Sequence, residues 1–394
     1  MTINYANCSE TESLQAWFAD HESRMTDLLA RLVNTDSNSY DKAGTDAVGV
    51  ILQQFLEADG IAVERLAVER HGDVFVARLP GTRAGKPVML MGHRDTVFPT
   101  GEAARRPFTI RNARAYGPGV ADMKAGLVQN AFILAAFKEL GLPHLPLVAM
   151  ASSDEEIGTP ACRGILERQL RGIGYAFNAE PGRASGNVVT SRRGGIFFRA
   201  GVTGRAAHSG NAFTEGRSAI LALARKIEAW MALTDPVADV TVNVGLVSGG
   251  QSVNTVAPFA EARIDLRYTA PADRDRMVAA ISAIATRVDV PDTTGEIAIV
   301  GEFLPVCGVA DSTRALLALH QESARAAGFA VDGEFTQSSA DSGLPAAMGI
   351  PTLCGMGPVG GKGHTAEEFL ELDTVVPRAV AQVLTILNLP GSGI

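Results

Sequence analysis

Apolar positions recur at two different periods along this chain, and the alternation between them sets the fold class. Over residues 24–57, Met25, Leu28, Leu29 and Leu32, then Val48, Ile51, Leu52, Phe55 and Leu56, fall at three- and four-residue spacing. That spacing predicts two helices interrupted by the polar stretch NTDSNSYDKAGTD. Short β-rich runs follow: IAVERLAVE, DVFVARL and PVMLMGH. The last is continuously apolar and ends in polar residues, as expected of a buried strand that delivers side chains at its C-terminal end. Residues 123–140 return to the helical period and stop at Gly-Leu-Pro. LPLVAMASSDEE and GYAFNAEPG then repeat the pattern of a strand followed by carboxylates. Strands alternating with helices predict an α/β layer with a mostly parallel sheet.

The pattern changes near residue 188. NVVTSRRGGIFFRAGVTGRAAH reads as a β-hairpin, followed by the helix GRSAILALARKIEAWMAL, the strands TVNVGLVSG and FAEARIDLRYT, the helix DRDRMVAAISAIATRV and the strand GEIAIVGEF. This order is that of a split-βαβ, ferredoxin-like α+β domain. The α/β pattern resumes after about residue 305 with the helix DSTRALLALHQESARAA, the strand IPTLCGM and a C-terminal helix. A main domain of residues 1–190 and 305–394 is therefore expected to carry an insert of residues 191–304.

Composition narrows the function classes. At 394 residues the chain exceeds one core, since domains run to ~100–200 residues. It is 46% apolar and 20% charged, which is ordinary globular composition. The net charge of −8 opposes a phosphate backbone, so no nucleic-acid partner is expected; a small anionic substrate needs only one or two local cations. Cys8, Cys162, Cys307 and Cys354 form no CxxC pair and read as unbridged thiols of a reducing compartment. The N-terminus lacks the basic start and apolar run of a signal peptide, and no run of ~18 apolar residues predicts a membrane span. A cytoplasmic protein is the expectation.

Candidate chemistry lies at the predicted strand ends and Gly-rich turns: His93 and Asp95 in MGHRDT, Asp122 in YGPGVADMKAG, Asp154, Glu155 and Glu156 in SSDEEIG, Glu180 in NAEPG, and His364 in GKGHTAEEF. Taken singly, a histidine at a strand end is usually a hydrogen-bonded structural residue, and consecutive carboxylates usually mark a solvated loop. Together, five separate elements offer imidazole or carboxylate, a donor set that suits zinc. Five ligands exceed the needs of one catalytic zinc and suit two metals ~3.5–4 Å apart that share a bridging carboxylate. A nucleotide-binding α/β protein would need a GxGxxG or Walker loop, and GPGVADMKAG has neither spacing.

The run MGHRDTV, YGPGVADMKAG, SSDEEIG, NAEPG, RAAHSG, VNTVAP, DLRY and GHTAEEF resembles the co-catalytic di-zinc exopeptidase and aminoacylase family, nearest its folate-cleaving glutamate carboxypeptidase branch. The resemblance implies one zinc on His93 and Glu180, a second on Glu156 and His364, and Asp122 bridging them through a cis Asp122–Met123 peptide. Co2+ or Mn2+ would substitute. It assigns Glu155 as the general base, which takes a proton from the attacking water and returns it to the leaving amine. Asp95, two residues beyond His93, fits an acceptor for the other imidazole N–H. In the insert, His208 matches a donor to the carbonyl oxygen that reaches in from a partner subunit, and Asn254 and Arg267 match residues that bind a carboxylate. Guanidinium suits that task because it pairs with carboxylate as a two-pronged fork.

The implied protein is a homodimeric metallo-carboxypeptidase that hydrolyses an amide next to a free carboxylate in a small-molecule or short-peptide substrate. A deacylase of N-acyl amino acids, a dipeptidase and, last, a non-catalytic metal-binding protein are the alternatives. The chain departs from the glutamate-specific pattern in two places. Asn187 or Val188 stands near a lysine of that branch, and QSSADSG at 337–343 replaces a Gly-rich run. Arg192 or Arg193 is a candidate replacement cation. His21, His71, His144 and His320 read as structural.

Overall fold

The computed structural model of the chain describes residues 8–306 and 310–391. The chain divides into two compact units. One comprises Met1–Ser191, Gly308–Thr336 and Leu344–Ile394, the other Arg192–Cys307 and Gln337–Gly343.

The first unit is built on an eight-stranded sheet in the order Val63–Leu66, Val74–Leu79, Leu147–Ser152, Val88–His93, Tyr175–Asn178, Thr352–Cys354, Val188–Arg192, Gly333–Thr336. The sheet is mixed. Val88–His93 runs parallel to both its neighbours, and Thr352–Cys354 runs parallel to Tyr175–Asn178. Antiparallel pairs lie toward both edges. Every residue of Val88–His93 is buried, which accounts for its unbroken apolar run. The register sets His93 beside Ser152 and Met91 beside Asn178. The segments leading to Asp154–Glu156 and to Glu180 therefore leave the sheet next to His93.

Helix Ala125–Glu139 is buried on nearly every side, with Phe132, Ile133 and Leu134 fully enclosed. By length and hydropathy the stretch Val120–Glu139 could cross a membrane, but 94% of it is buried inside the fold, so it is a core helix. Helix Cys8–Asp20, which the sequence pattern did not predict, seats Leu14, Trp17 and Phe18 in the same core. Helices Glu22–Val33 and Lys42–Ala58 are separated by a shorter break than predicted. KAGTD is helical because Asp41 caps it, accepting from the Gly44 N–H at 3.0 Å. Cys162 and Cys354 are buried and unbridged; Cys307 and the Cys8 side chain lie outside the described residues.

The second unit has a four-stranded antiparallel sheet in the order Thr241–Gly249, Phe259–Tyr268, Gly194–Thr203, Thr294–Phe303. Helices Ala219–Met231 and Pro271–Thr286 complete the ferredoxin-like connectivity. Its separate core includes Ile196, Phe198, Trp230, Leu266 and Ile281, and the Trp230 indole N–H donates to the Ile281 carbonyl at 3.0 Å.

Two sequence expectations need correction here. Residues 188–203 are not a hairpin, since Val188–Arg192 pairs within the first unit's sheet and Gly194–Thr203 within the second's. The change of sheet falls at Arg193–Gly194, where a Cβ on Gly194 would sit 2.5 Å from the Tyr268 ring. Residues 337–343 belong with the second unit, drawn there by Ser339, which accepts from Arg267 Nη1 at 2.9 Å, and Ser338, which accepts from Arg192 Nη1 at 2.9 Å.

Candidate active site

The strand that ends at His93 places its imidazole almost wholly inside, at 2% exposure. Its Nδ1 lies 3.0 Å from the Asp95 backbone carbonyl. That contact makes Nδ1 the protonated nitrogen and leaves Nε2 with its lone pair inward. Nε2 is 3.4 Å from Asp122 Oδ1 and 3.7 Å from Glu180 Oε1, and it has no hydrogen-bond partner.

Asp122 follows a turn in which Gly117 and Gly119 have φ of 145° and 72°, and its peptide bond to Met123 is cis. Its other carboxylate oxygen, Oδ2, lies 3.4 Å from His364 Nε2, which is 3.0 Å from Glu156 Oε2. Asp122 thus turns one oxygen toward each histidine. The result is two triads with one shared member, His93–Asp122–Glu180 and Asp122–Glu156–His364. Within each, the candidate ligand atoms lie within 4.8 Å of one another. The first triad is closed in, whereas His364 leaves the second open on one side, with 54% of its side chain exposed.

The electrostatics explain what this arrangement lacks. Burial opposes charge on His93, yet the carboxylates of Glu155, Asp122, Asp95 and Glu180 outweigh it and raise its pKa well above the ordinary value. Hydrogen bonds donated to the Asp122 and Glu156 carboxylates push His364 up to about 10. Burial would raise the Asp122 pKa, but the two imidazoles hold it far below the usual carboxylate range. Glu156 moves up, from burial first and then from the charge on Asp122. So many carboxylates in one buried cluster call for positive charge, which protons on histidine supply poorly. The unpartnered Nε2 of His93 and the shared Asp122 fit two divalent cations, and nitrogen-plus-oxygen donors suit zinc.

Glu155 stands beside the triads but in neither. It is 6% exposed, with Oε2 3.8 Å from His93 Nε2, at the start of the short turn Glu155–Ile157 that also carries Glu156. Asp95 faces the His93 Nδ1 with both its backbone carbonyl, at 3.0 Å, and its carboxylate Oδ1, at 3.4 Å. The carboxylate also accepts from the backbone N–H of Glu155 at 3.2 Å and of Glu156 at 3.1 Å, and from Ser39 Oγ at 2.7 Å. Asp95 therefore positions the turn that presents Glu155 and Glu156.

Two further positioning residues were not found in the sequence. Glu368 is fully buried and accepts from the backbone N–H groups of Gly119, Ala121 and Asp122, each at 2.9 Å, so it fixes the loop that aims Asp122. Burial, opposed by these bonds, pushes Glu368 up to about 7. Its place in GHTAEEF, four residues after His364, was the available signal. Arg94, between His93 and Asp95, is also fully buried. It donates to the carbonyls of Thr45 and Ala151 at 2.7 Å, and to that of Asp73, tying helix Lys42–Ala58 to strand Leu147–Ser152 and to the residue before strand Val74–Leu79.

In the second unit, His208 Nδ1 accepts from the N–H groups of Gly210 and Asn211 at 3.1 and 3.2 Å. Its proton therefore sits on the other ring nitrogen, and the exposed ring offers Nε2–H as a donor. The loop of Asn254 lies against it, joined by the bridge between His208 and Thr255 and by Ser209 N–H to the Asn254 carbonyl at 3.0 Å. Arg267 is half-buried on strand Phe259–Tyr268, held by Asp265 at 2.8 Å and Ser339 at 2.9 Å. Arg193 pairs with Asp239 at 2.7 Å.

Comparison with known proteins agrees with this geometry. The model of Peptidase family M20/M25/M40 matches residues 89–388. The chain is 26% identical to carboxypeptidase G2 of Pseudomonas sp. (strain RS-16) over 386 residues, covering 95% of this chain and 91% of that protein. It is 28% identical to acetylornithine deacetylase of Proteus mirabilis (strain HI4320) over 262 residues, 61% of this chain and 66% of that protein. Among solved structures, the M20 family metallo-carboxypeptidase Sso-CP2 from Sulfolobus solfataricus superposes with a TM-score of 0.75 at 18% identity, covering 91% of this chain and 98% of that one. Human carnosine dipeptidase 1 gives 0.72 at 12% identity, covering 96% and 99%. At these identities the two structures bear on the fold alone.

Proposed function

The chain belongs to peptidase family M20/M25/M40, a family of metal-dependent hydrolases, and from that premise we propose that it is a two-zinc amidohydrolase that cleaves an amide next to a free carboxylate, as a carboxypeptidase does. The observation that carries this reading is the pair of triads sharing Asp122, with buried Glu155 beside them and in neither.

In this reading His93 and Glu180 would hold one cation and Glu156 and His364 the other, with Asp122 the residue shared between the two sets. Zinc, when bound, would supply Lewis acidity to the scissile carbonyl and lower the pKa of water. Glu155 takes the proton from that water and passes it to the leaving amine. Asp95 fixes where Glu155 stands by binding its backbone N–H. The His208 Nε2–H donates to the carbonyl oxygen as charge builds on it. Arg267 pairs with the substrate's free carboxylate, and Asn254 adds a polar contact to it.

We also propose a homodimer, which features of the second unit's surface support. Strand Thr241–Gly249 is an edge of its sheet, with Leu246 and Val247 exposed at 69% and 58%. Ile220 and Leu221 are exposed on helix Ala219–Met231. An open apolar edge of this kind favours pairing with a second copy, which would bring His208 to the partner's site. Mixing inactive His208→Ala and Glu155→Gln proteins tests this, since exchange regenerates one intact site per heterodimer only if His208 acts across the interface. Recovery is the expected result. No recovery despite demonstrated exchange, or a monomer by light scattering, rules it out.

The reaction itself is tested with a panel of N-acyl amino acids and dipeptides, each beside its C-terminal amide, followed by mass spectrometry. Release of an amino acid from the free acids and not from the amides is expected. A metal-replete protein that cleaves neither contradicts the reading. The likeness to acetylornithine deacetylase supports a deacylase as the second reading, and preference for small acyl groups over peptidyl or aroyl groups would select it.

A further inference from the structure

The chain is acidic overall, yet one cavity of its first unit is lined by cations. This cavity of about 560 Å3 is walled by Arg106, Arg111, Arg114 and Lys362, with the rings of Tyr116 and Phe369. Glu367 is the only carboxylate among its lining residues. Its volume falls within the ~300–1,000 Å3 of small-molecule sites.

Three of the four cations have acidic partners. Arg106 pairs with Glu102, Lys362 with Glu367, and Arg114 with Glu371 at 2.6 Å. Arg111 has no carboxylate partner among the described residues, and its guanidinium carbon lies over the Tyr116 ring, 4.7 Å from the centroid. Its backbone position sharpens the point. Thr109–Arg111 and Arg114–Tyr116 form a tight hairpin closed by Asn112 and Ala113, both at positive φ, and the register sets Arg111 directly opposite Arg114. Like charges facing across a strand pair are unfavourable. Glu371, on the neighbouring strand, answers Arg114 and leaves Arg111 unanswered. A stacked guanidinium keeps its N–H edge available for two-pronged pairing with a carboxylate.

The walls of the cavity come from the segments that carry two of the candidate ligands. Gly117 opens the turn leading to Asp122, Lys362 stands two residues before His364, and Phe369 adjoins Glu368, which binds the Asp122 N–H. A molecule in this cavity therefore lies along the segments that present Asp122 and His364. We propose that the cavity receives a second carboxylate, carried on the acyl half of the substrate, with Arg111 as the group that reads it. This rests on the amidohydrolase reading, in which Arg267 takes the carboxylate of the leaving half. The substrate class is then an amino acid acylated by a dicarboxylic acid.

The test compares N-glutaryl amino acids with their side-chain-neutral methyl glutaryl esters, for wild type and Arg111→Ala. Arg111 is exposed and outside the catalytic cluster, so the variant folds. Wild type should favour the free glutaryl acid in kcat/KM by at least about tenfold, the scale of one charge-assisted hydrogen bond. Arg111→Ala should erase that preference while leaving the ester within about twofold of wild type. Absence of the preference in wild type, or its survival in Arg111→Ala, overturns the proposal. Calorimetric titration with free glutarate separates the two readings. Binding lost in Arg111→Ala supports the carboxylate site, and binding indifferent to the substitution overturns it. Arg111-dependent glutarate binding in a protein that hydrolyses nothing sinks the amidohydrolase reading alone.

Discussion

The polar groups at the strand ends of the first unit and those on the second unit's surface are built to different standards. His93, Asp95, Glu155 and Glu180 are between 0% and 7% exposed. Their surroundings are tied by buried bonds, Asp95 to the Glu155–Glu156 turn and Glu368 to the Asp122 loop. His208 and Asn254 stand exposed on loops, and Arg267 is only half-buried, held by Asp265 and Ser339. A buried carboxylate with a lost partner is costly, so only near-isosteric changes in the first set should leave the fold intact. An exposed loop residue can change at little cost to the fold. On the proposed reading, the residues of the chemistry are fixed and those that read the substrate are left adjustable.

Substitutions can break or sharpen this contrast. The largest effect is expected for Glu155→Gln, which should keep both metals and the fold while lowering kcat by about 10²–10⁴-fold, the range of a general base. Loss of metal from that variant, seen by elemental analysis, would make Glu155 a ligand and reverse its roles with Glu156. Arg267→Ala should weaken free-acid substrates by about 2–5 kcal/mol in kcat/KM and leave their amides nearly unchanged. Equal losses for acid and amide would remove Arg267 from carboxylate recognition. Asp95→Asn should cost about 10–100-fold in metal affinity, because a neighbour that positions ligands acts through their geometry. An unchanged titration would mean that the Glu155–Glu156 turn holds itself. Ser339→Gly, in the adjustable set, should shift KM for free acids by only about two- to tenfold with kcat unchanged, since one hydrogen bond contributes about 0.5–1.5 kcal/mol and Asp265 still holds the guanidinium. A large fall in kcat would place Ser339 in the fixed set.

The legibility of the chain follows the same division. Each candidate ligand follows an apolar strand or a Gly-rich turn, so local pattern was enough to nominate it, and the resemblance supplied the pairing of His93 with Glu180 and of Glu156 with His364. What holds those ligands was not legible. The contacts of Asp95 with the Glu155–Glu156 turn span about sixty positions, and those of Glu368 with the Asp122 loop about two hundred and fifty. Local sequence could nominate Asp95 and Glu368 but not the distant backbone each one holds. The hairpin expected at 188–203 failed because alternation continues through the point where the chain leaves one sheet for another. Helix Cys8–Asp20 was missed because its apolar residues, Leu14, Trp17 and Phe18, are too few to mark a face. Residues 337–343 were placed with the wrong unit because the bonds of Ser338 and Ser339 to arginines more than seventy positions away decide where they pack.

Metal titration of the apoprotein tests the central claim, two cations on a shared aspartate, most directly. Calorimetry with Zn2+, checked by elemental analysis of the dialysed protein, should give two equivalents per chain for wild type. His364→Ala should bind about one, since the triad of His93, Asp122 and Glu180 stays whole. Asp122→Ala should weaken both sites together, because it removes an oxygen from each. One equivalent in fully active wild type, or an Asp122→Ala protein that keeps either site at wild-type affinity, would contradict the account.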